Sequence, residues 1–232
     1  MEDKKVENIN VSENKNEIVK ENANKKKNKE YTKQIKINKY LKFIVLILAI
    51  SIFTYIGINV FQDKIFTWDS TIYNFLMQSR NIRLNEMVII LTELGGFWVI
   101  TILTIVLLIT LKKKQKIMVL SNVIIVTILN QLLKIVFMRP RPEIMRLIEE
   151  QGYSFPSGHS MVSTAFYGLL IYLIYKNVKN KYIKYTLCTI LSILILIIGL
   201  SRIYLGVHYA SDVIGGVCFS IAYLIIFINV FK

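Results

Sequence analysis

The sequence is poor in cysteine, histidine and proline, and its acidic residues are about half as common as its basic ones. The two cysteines, Cys188 and Cys218, lie in apolar runs, which excludes a small disulfide-stapled scaffold. Lys and Arg number 29 against 15 Asp and Glu, a formal net charge of +14. A disordered polyelectrolyte would not be 54% hydrophobic. A nucleic-acid-binding domain would not separate its basic residues by long apolar runs. The composition therefore indicates a small integral membrane protein with one basic side and no nucleic-acid partner.

The first 39 residues are rich in Lys, Asn and Glu and contain no aromatic residue before Tyr31. Such a segment cannot bury a core, so we predict a disordered basic cytoplasmic tail over residues 1–39 and a membrane domain over residues 40–232. The first apolar run begins only at Leu41, too late for the apolar stretch of a cleavable signal peptide. We therefore expect an uncleaved first transmembrane helix.

Six apolar runs follow the tail, each near the roughly 20 residues that a helix needs to cross a bilayer. They cover residues 41–60, 94–111, 117–137, 158–175, 185–200 and 212–230. These runs predict an all-α fold, a bundle of six transmembrane helices. Glu93 and the pair Gly95-Gly96 predict a break at the start of the second run. Residues 68–81 have the pattern of an amphipathic interfacial helix.

The basic residues in the connections predict how this bundle is oriented. Residues 1–42 carry 12 Lys, and further lysines stand within residues 112–116 and 176–184 and at Lys232. The alternate connections are mixed in sign. Because Lys and Arg accumulate in cytoplasmic loops, we predict a multi-pass cell-membrane protein with both termini in the cytoplasm.

Three polar clusters are expected at the outer, extracytoplasmic ends of helices three to six. They hold both histidines and all three prolines of the sequence. The clusters run from Lys134 through Arg139-Pro140-Arg141-Pro142, from Ser154 to Ser160, and from Ser201-Arg202 through His208 to Asp212. Their placement on one membrane face predicts an active site there.

Several residue types in these clusters suit a phosphate group. Lys134, Arg141 and Arg202 would bring three positive charges together, and a forked guanidinium group matches phosphate oxygens. Ser157 and Gly158 open a helix whose free N–H groups and dipole favour an anion. The clusters therefore predict a phosphate-binding site.

The two histidines add reactive groups to that site. His159 and His208 have unperturbed pKa values near 6.5 and can act as general acid and nucleophile around neutral pH. Asp212 follows His208 by one helical turn, close enough to hold the imidazole ring. The constellation favours phosphoryl transfer through a phosphohistidine.

The same residues carry a resemblance to a known family. The spacings Lys134-x6-Arg141-Pro142, Pro156-Ser157-Gly158-His159 and Ser201-Arg202-x5-His208-x3-Asp212 resemble the three signature motifs of the type 2 phosphatidic acid phosphatase superfamily. The resemblance implies that His208 attacks phosphorus, that Asp212 orients His208 and that His159 protonates the leaving oxygen. It also implies that no metal or other cofactor is needed, and that the phosphate is bound by Lys134, Arg141, Ser157, Gly158 and Arg202.

The expected function follows from the resemblance and the predicted topology. The protein would hydrolyse a phosphate monoester or diphosphate of a lipid, such as phosphatidate, phosphatidylglycerol phosphate or undecaprenyl pyrophosphate, at the extracytoplasmic face. The motif residues contact only the phosphate that these lipids share, so they do not choose among them. A transporter and a non-catalytic binder of lipid phosphates are the alternatives. A transporter is expected to place its charges near the membrane midplane, often with inverted repeats, and neither pattern is present.

Some of these residues also have simpler structural explanations. Ser157 or Asp212 could cap a helix, and Lys134 could extend its amine to the membrane surface. For Arg139 and Arg146 we favour anchoring to lipid headgroups.

Overall fold

The computed structural model describes residues 40–143 and 146–231. The chain divides into two units, Met1–Val45 and Leu46–Lys232. Of the first unit only residues 40–45 are described, and they are helical. The predicted tail over residues 1–39 lies outside the described residues. All regular structure within the described ranges is helical, without a strand, and the prediction of an all-α fold is confirmed.

Eight α-helices and one short 3-10 helix make up the described part of the chain. They are α1 (Tyr40–Phe61), α2 (Thr67–Met77), α3 (Ile82–Thr92), the 3-10 helix Glu93–Gly95, α4 (Phe97–Thr110), α5 (Lys113–Phe137), α6 (Gly158–Asn177), α7 (Lys181–Tyr204) and α8 (Ala210–Val230). Polar caps set the starts of α3, α6 and α7, because the side chains of Asn81, Ser157 and Asn180 accept hydrogen bonds from first-turn N–H groups.

Four of these helices, α1, α5, α7 and α8, are long and apolar enough to cross a membrane. The helices α3 and α4 pass the same test as a pair bent by 47°, which gives a fifth candidate span. The bend lies at residues 93–96, where the sequence predicts a break. The helix α6 falls outside this set because its first turns carry small polar residues, among them Ser160, Ser163 and Thr164. The count of six transmembrane helices stays a prediction, which requires the bent pair and α6 to cross as well.

The helix α6 is central, packed against α5, α7 and α8. Its side chains Phe166 and Leu169 belong to a buried cluster that also contains Val119 of α5 and Ile198 of α7. Because other helices enclose α6, its polar residues face protein groups rather than lipid. Ser220 of α8, for example, donates a hydrogen bond to the backbone of α6.

The start of α8 lies directly against the segment that precedes α6. An added Cβ at Gly216 would stand 3.0 Å from the carbonyl oxygen of Ser157, and one at Gly215 would stand 2.5 Å from the ring of Phe155. The N–H of Ser157 donates to the backbone oxygen of Asp212 at 3.1 Å. The two glycines therefore allow the second and third polar clusters to meet.

The helix α2 covers most of the interfacial helix predicted over residues 68–81, but it ends earlier, at Met77. Its apolar side chains Trp68, Ile72 and Leu76 pack against a buried cluster formed by the end of α7 and the start of α8, which includes Ile203. This packing lays α2 over the turn between α7 and α8 and buries the carboxylate of Asp69 there.

Candidate active site

His208 lies in the turn between α7 and α8, and only 2% of it is exposed. Its Nδ1 atom is 3.4 Å from Oδ2 of Asp212 and 3.2 Å from Oγ of Ser154. Ser154 donates a hydrogen bond of 2.5 Å to the same carboxylate oxygen. The Nδ1 side of the ring therefore faces a carboxylate that is itself held in place by further hydrogen bonds.

The other ring nitrogen of His208, Nε2, lies 3.2 Å from Nη1 of Arg141. A guanidinium group has only N–H donors, so Nε2 accepts this contact and the ring proton resides on Nδ1, facing Asp212. Arg141 is fixed in turn by the backbone oxygens of Gln151 and Gly152, both at 2.9 Å, and of Val207 at 3.0 Å. Nε2 is therefore the unprotonated ring nitrogen, and its electron pair points at a fixed positive charge.

Arg202 and Arg141 hold a carboxylate between them. Nη1 of Arg202 donates to Oγ1 of Thr92 at 2.9 Å, and its Nη2 donates to Glu150. The second carboxylate oxygen of Glu150 lies 3.8 Å from Nη2 of Arg141. The buried Nε of Arg202 has no hydrogen-bond partner, so this side chain keeps one donor for a bound anion. We name the guanidinium groups of Arg141 and Arg202, which hold the Glu150 carboxylate between them, the anion cradle.

Lys134 and His159 line a cavity of about 210 Å³ next to the cradle. Much of the remaining lining is apolar and comes from α4, α5 and α6, including Phe97, Ile100 and Val162. The amine of Lys134 lies within electrostatic range of both cradle arginines. The cavity therefore joins a charged end, at Lys134 and His159, to an apolar wall.

Ser157 and Gly158 begin α6 beside this cavity. The Ser157 hydroxyl accepts hydrogen bonds from the backbone N–H and the hydroxyl of Ser160, at 3.5 and 3.0 Å, so it caps the helix. Gly158 lies against Asn130, whose side-chain oxygen would be 3.1 Å from an added Cβ. The first N–H groups of a helix have no acceptor within it, and the dipole favours an anion at that end.

Burial and neighbouring charges shift the pKa values of groups in the connecting loops. Burial lowers the pKa of His208 from 6.5 to about 4, although the Asp212 carboxylate opposes this change. Burial acts to raise the pKa of Glu150, but the guanidinium groups of Arg202 and Arg141 outweigh it and hold this pKa below its ordinary value of 4.5. At neutral pH the site therefore contains an uncharged His208 and an ionised Glu150.

The cradle, Lys134 and the start of α6 together offer the donors of an anion site. Guanidinium groups, an ammonium group and helix N–H groups all match phosphate oxygens. Over residues 40–143 and 146–231, no group of three or more His, Cys, Asp or Glu side chains is arranged to hold a metal ion.

Arg139 does not anchor the loop to lipid headgroups, so that interpretation was wrong. It is buried, with Nη1 2.6 Å from Oδ1 of Asp212 and Nη2 3.3 Å from Oδ2 of Asp69. Two buried carboxylates at one place require a cation, and Arg139 supplies it. Arg146, by contrast, is exposed and donates to the carbonyl of Pro142.

The fold brings all the predicted site residues to one end of α5–α8 and adds three that lie outside the predicted polar clusters. These are Asp69, which pairs with Arg139, and Thr92 and Glu150, which both bind Arg202. The sequence offers only a weak indication of Asp69 and Glu150, namely that both are acidic residues in the predicted outer connections. Nothing in the sequence distinguishes Thr92.

Comparison with known sequences identifies relatives of this chain. The profile of the PAP2 superfamily matches residues 115–232, just over half of the sequence and the part that contains every predicted site residue. Phosphatidylglycerophosphatase B of Bacillus subtilis is 35% identical over 102 residues, which are 44% of this chain and 49% of that protein. The match thus spans about half the length of this curated relative.

Two solved structures share the fold. The crystal structure of the transmembrane PAP2-type phosphatidylglycerolphosphate phosphatase from Bacillus subtilis matches with a TM-score of 0.69 and 26% identity, covering 78% of this chain and 94% of that one. The crystal structure of Aquifex aeolicus LpxE matches with a TM-score of 0.60 and 27% identity, covering 71% and 96%. The resemblance inferred from the three motifs is thereby confirmed, and the chain belongs to the PAP2 superfamily.

Proposed function

We propose that this protein is a membrane lipid phosphatase that releases phosphate from a lipid phosphate monoester or diphosphate through a phosphohistidine on His208. The observation that carries the proposal is the arrangement of the His208 ring, with Nδ1 toward Asp212 and Nε2 toward Arg141. Membership of the PAP2 superfamily and a relative named as a phosphatase support the same reaction class.

In the first step Nε2 of His208 attacks the phosphorus atom, and the bond from phosphorus to the leaving oxygen breaks. The leaving oxygen takes a proton from His159, so a lipid alcohol or a lipid monophosphate departs. The phosphorylated ring keeps its proton on Nδ1 and becomes positively charged, a form that the Asp212 carboxylate stabilises.

In the second step a water molecule attacks the phosphohistidine. His159, now unprotonated, accepts a proton from the water as its oxygen bonds to phosphorus. The bond from phosphorus to nitrogen breaks, and its electron pair returns to Nε2 of His208. Inorganic phosphate leaves, and both histidines return to their starting protonation states.

The anion cradle and Lys134 stabilise the negative charge of the transferring phosphoryl group. Arg141 and Arg202 are held by protein acceptors before substrate arrives, which reduces the rearrangement needed for catalysis. A substrate phosphate takes the position between the arginines that the Glu150 carboxylate occupies. The N–H groups that open α6 contribute further donors.

The cavity that contains His159 and Lys134 supports a lipid rather than a small polar substrate. His159 is the proposed donor to the leaving oxygen, so the leaving group lies on its side of the phosphate. The wall there includes Phe97, Ile100 and Val162, which suit a hydrocarbon chain. Phosphatidylglycerol phosphate is the first candidate because the similar sequence and one of the similar structures, both from Bacillus subtilis, are named for it.

The orientation of the site is a second part of the proposal. Six spans with both termini in the cytoplasm would place the cradle on the extracytoplasmic side, with the lysine-rich connections on the other. In a variant with Cys188 and Cys218 replaced by serine, Glu143→Cys should react with an impermeant thiol reagent on whole cells. Lys179→Cys should react only after lysis. The opposite labelling pattern would reverse the proposed topology.

Phosphate release from a panel of lipid phosphates and diphosphates tests the reaction. We expect the detergent-purified protein to release phosphate in EDTA, to be inhibited by vanadate, and to lose turnover completely in folded His208→Ala. When the reaction with a lipid labelled in its phosphate is rapidly quenched, the wild-type protein should carry a covalently bound labelled phosphoryl group. This label should be labile in acid and stable in base, as expected of a phosphohistidine, and should be absent from His208→Ala. Near-normal turnover by His208→Ala would refute the mechanism, and phosphate binding without release would identify a non-catalytic binder.

A further inference from the structure

A buried carboxylate outside the motifs, Asp69 of α2, lies next to the site and is 1% exposed. Its Oδ1 accepts the backbone N–H of Ser211 at 2.7 Å, and its Oδ2 accepts the Ser211 hydroxyl at 2.7 Å. Oδ2 also lies 3.3 Å from Nη2 of Arg139. Asp69 thus joins α2 to the first turn of α8, the turn that contains Asp212.

Arg139 links the carboxylates of Asp69 and Asp212. Its Nη1 contacts Oδ1 of Asp212 at 2.6 Å and the Ser211 hydroxyl at 2.7 Å, and its guanidinium lies 4.1 Å from the centre of the Tyr209 ring. Arg139 contacts Oδ1 of the Asp212 carboxylate, whereas His208 and Ser154 contact Oδ2. The two sides of the Asp212 carboxylate therefore have different partners, which fixes its rotation.

The charges of this cluster explain why two carboxylates are needed. Arg139 and Asp212 alone would form a neutral pair, and the cation would withdraw negative charge from the oxygen that faces His208. Asp69 gives the three side chains a net charge of −1. In a buried setting a unit charge at this range acts strongly on its neighbours, because little water screens it.

We propose that Asp69 is a positioning residue for catalysis, which acts through Arg139 to keep the Asp212 carboxylate oriented and negatively charged toward His208. The inference rests on the proposed function of His208 as nucleophile. It adds Asp69 and Arg139 as residues that act on His208 through Asp212. Loss of the Asp69 charge should leave the phosphate-binding groups in place but should weaken stabilisation of the positively charged phosphohistidine ring.

Titratable groups from several neighbouring elements act on His208, and both cations and carboxylates are among them. They are Arg141 and Glu150 of the connection, His159 of α6, Arg202 of α7 and Asp212 of α8. Lys134 of α5 adds a positive charge within range of Arg141 and Arg202. Asp212 is the carboxylate in contact with the ring, and Asp69 is placed to reinforce it through Arg139. The balance between these cations and carboxylates sets how readily His208 takes up positive charge.

Steady-state kinetics of Asp69→Asn, Arg139→Ala and the double variant test this inference on a lipid phosphate that the wild-type protein hydrolyses. We expect Asp69→Asn to lower kcat by about 10–100-fold, the effect of losing an outer partner of a metal-bound histidine, with little change in KM. In the Arg139→Ala background the Asp69 substitution should add no further loss, because the path from Asp69 to Asp212 is already broken. Independent, additive losses would overturn the inference.

The pH profile separates a positioning role from a merely structural one. With one negative charge fewer near His208, its imidazolium form is less stable, so the acid limb of kcat/KM should move to lower pH in Asp69→Asn. The position of this limb does not depend on how much protein is folded, so it can be read even when the yield falls. Arg139→Lys, which keeps the charge but cannot bridge both carboxylates, should also lower kcat.

The matched control is Thr71→Ala, an exposed position on α2 whose hydroxyl bonds only the carbonyl of Thr67 in the same helix. It should keep the wild-type kcat and pH profile. An active wild type, an inactive His208→Ala and an unchanged Asp69→Asn would refute this inference alone. Activity in His208→Ala, or no phosphate release by the wild type, would instead refute the proposed function.

Discussion

Nη1 of Arg141 lies 3.2 Å from Nε2 of His208, and this contact decides which ring nitrogen can attack. Because a guanidinium group can only donate, the electron pair of Nε2 faces the cationic cradle and the proton resides on Nδ1. The same side chain thus selects the tautomer of the proposed nucleophile and supplies charge for the phosphate.

The buried His208 should remain reactive in mildly acidic solution. Burial lowers its pKa from 6.5 to about 4, so the unprotonated ring persists as the pH falls through 6.5 and is lost only nearer the lowered pKa. We therefore expect the acid limb of kcat/KM that reports His208 to lie below pH 6.5. Tryptophan fluorescence at each pH verifies that the protein stays folded. A limb at or above pH 6.5 that persists with substrates of different phosphate pKa would contradict this assignment.

His159→Ala should be selective for the leaving group. A lipid alkoxide needs a proton as it departs, so turnover of a lipid phosphate should fall by about 10²–10⁴-fold, the usual contribution of a general acid. Formation of the phosphohistidine from p-nitrophenyl phosphate should be much less affected, because nitrophenolate leaves without protonation. Rapid-quench measurement of the first turnover resolves this step from hydrolysis. His208→Ala is the control and should lose activity on both substrates.

Glu150→Gln should tighten the binding of phosphate-like anions. The carboxylate lies between Arg202 and Arg141 and competes with an incoming anion for the same donors. We expect the vanadate concentration for half-inhibition to fall by about tenfold, equivalent to ~1.4 kcal/mol. Glu149→Gln removes the same charge from the neighbouring, exposed position and should leave inhibition near the wild-type value. Equal effects of the two substitutions would indicate a general change in loop charge.

Gly216→Ala should destabilise the contact between α8 and the start of α6. The added Cβ would be 3.0 Å from the backbone oxygen of Ser157, which cannot move without shifting the helix start. We expect a loss of about 1–3 kcal/mol, as for other overpacked sites, seen as a lower Tm in detergent together with reduced turnover. Gly168→Ala is the matched control, because its added Cβ meets only the terminal methyl group of Leu224, which can rotate away. A larger effect at Gly168 would show that the approach of α8 is not tightly constrained.

The predictable part of the site consists of residues with a fixed chemical role at a fixed spacing. Lys134 and Arg141 lie seven positions apart across a helix end, and His208 and Asp212 lie four positions apart across a helix start, so short separation along the chain keeps each pair together. The break near Glu93 was predictable as well, since two adjacent glycines interrupt an apolar run there. The helical secondary structure and the PAP2 family were predictable from local sequence patterns of this kind.

The network behind these residues was not predictable in the same way. Arg139 and Asp69 are 70 positions apart, and Arg202 and Thr92 are 110 apart. Pairing over such separations depends on how α2 and the bend after α3 pack onto α7 and α8, for which no local pattern exists. Arg139 looked like a headgroup anchor because charged residues beside membrane helices usually have that role.

The sequence by itself determined which reactive groups the protein possesses: two histidines, three cations in signature spacing and apolar runs long enough for membrane helices. Only the tertiary structure decided how those groups are charged and oriented, including the tautomer of His208, the carboxylate within the cradle and the Asp69–Arg139 support of Asp212. The physical reason is that hydrogen bonds and charge interactions change steeply over a few ångströms in a buried site, and packing alone sets those distances.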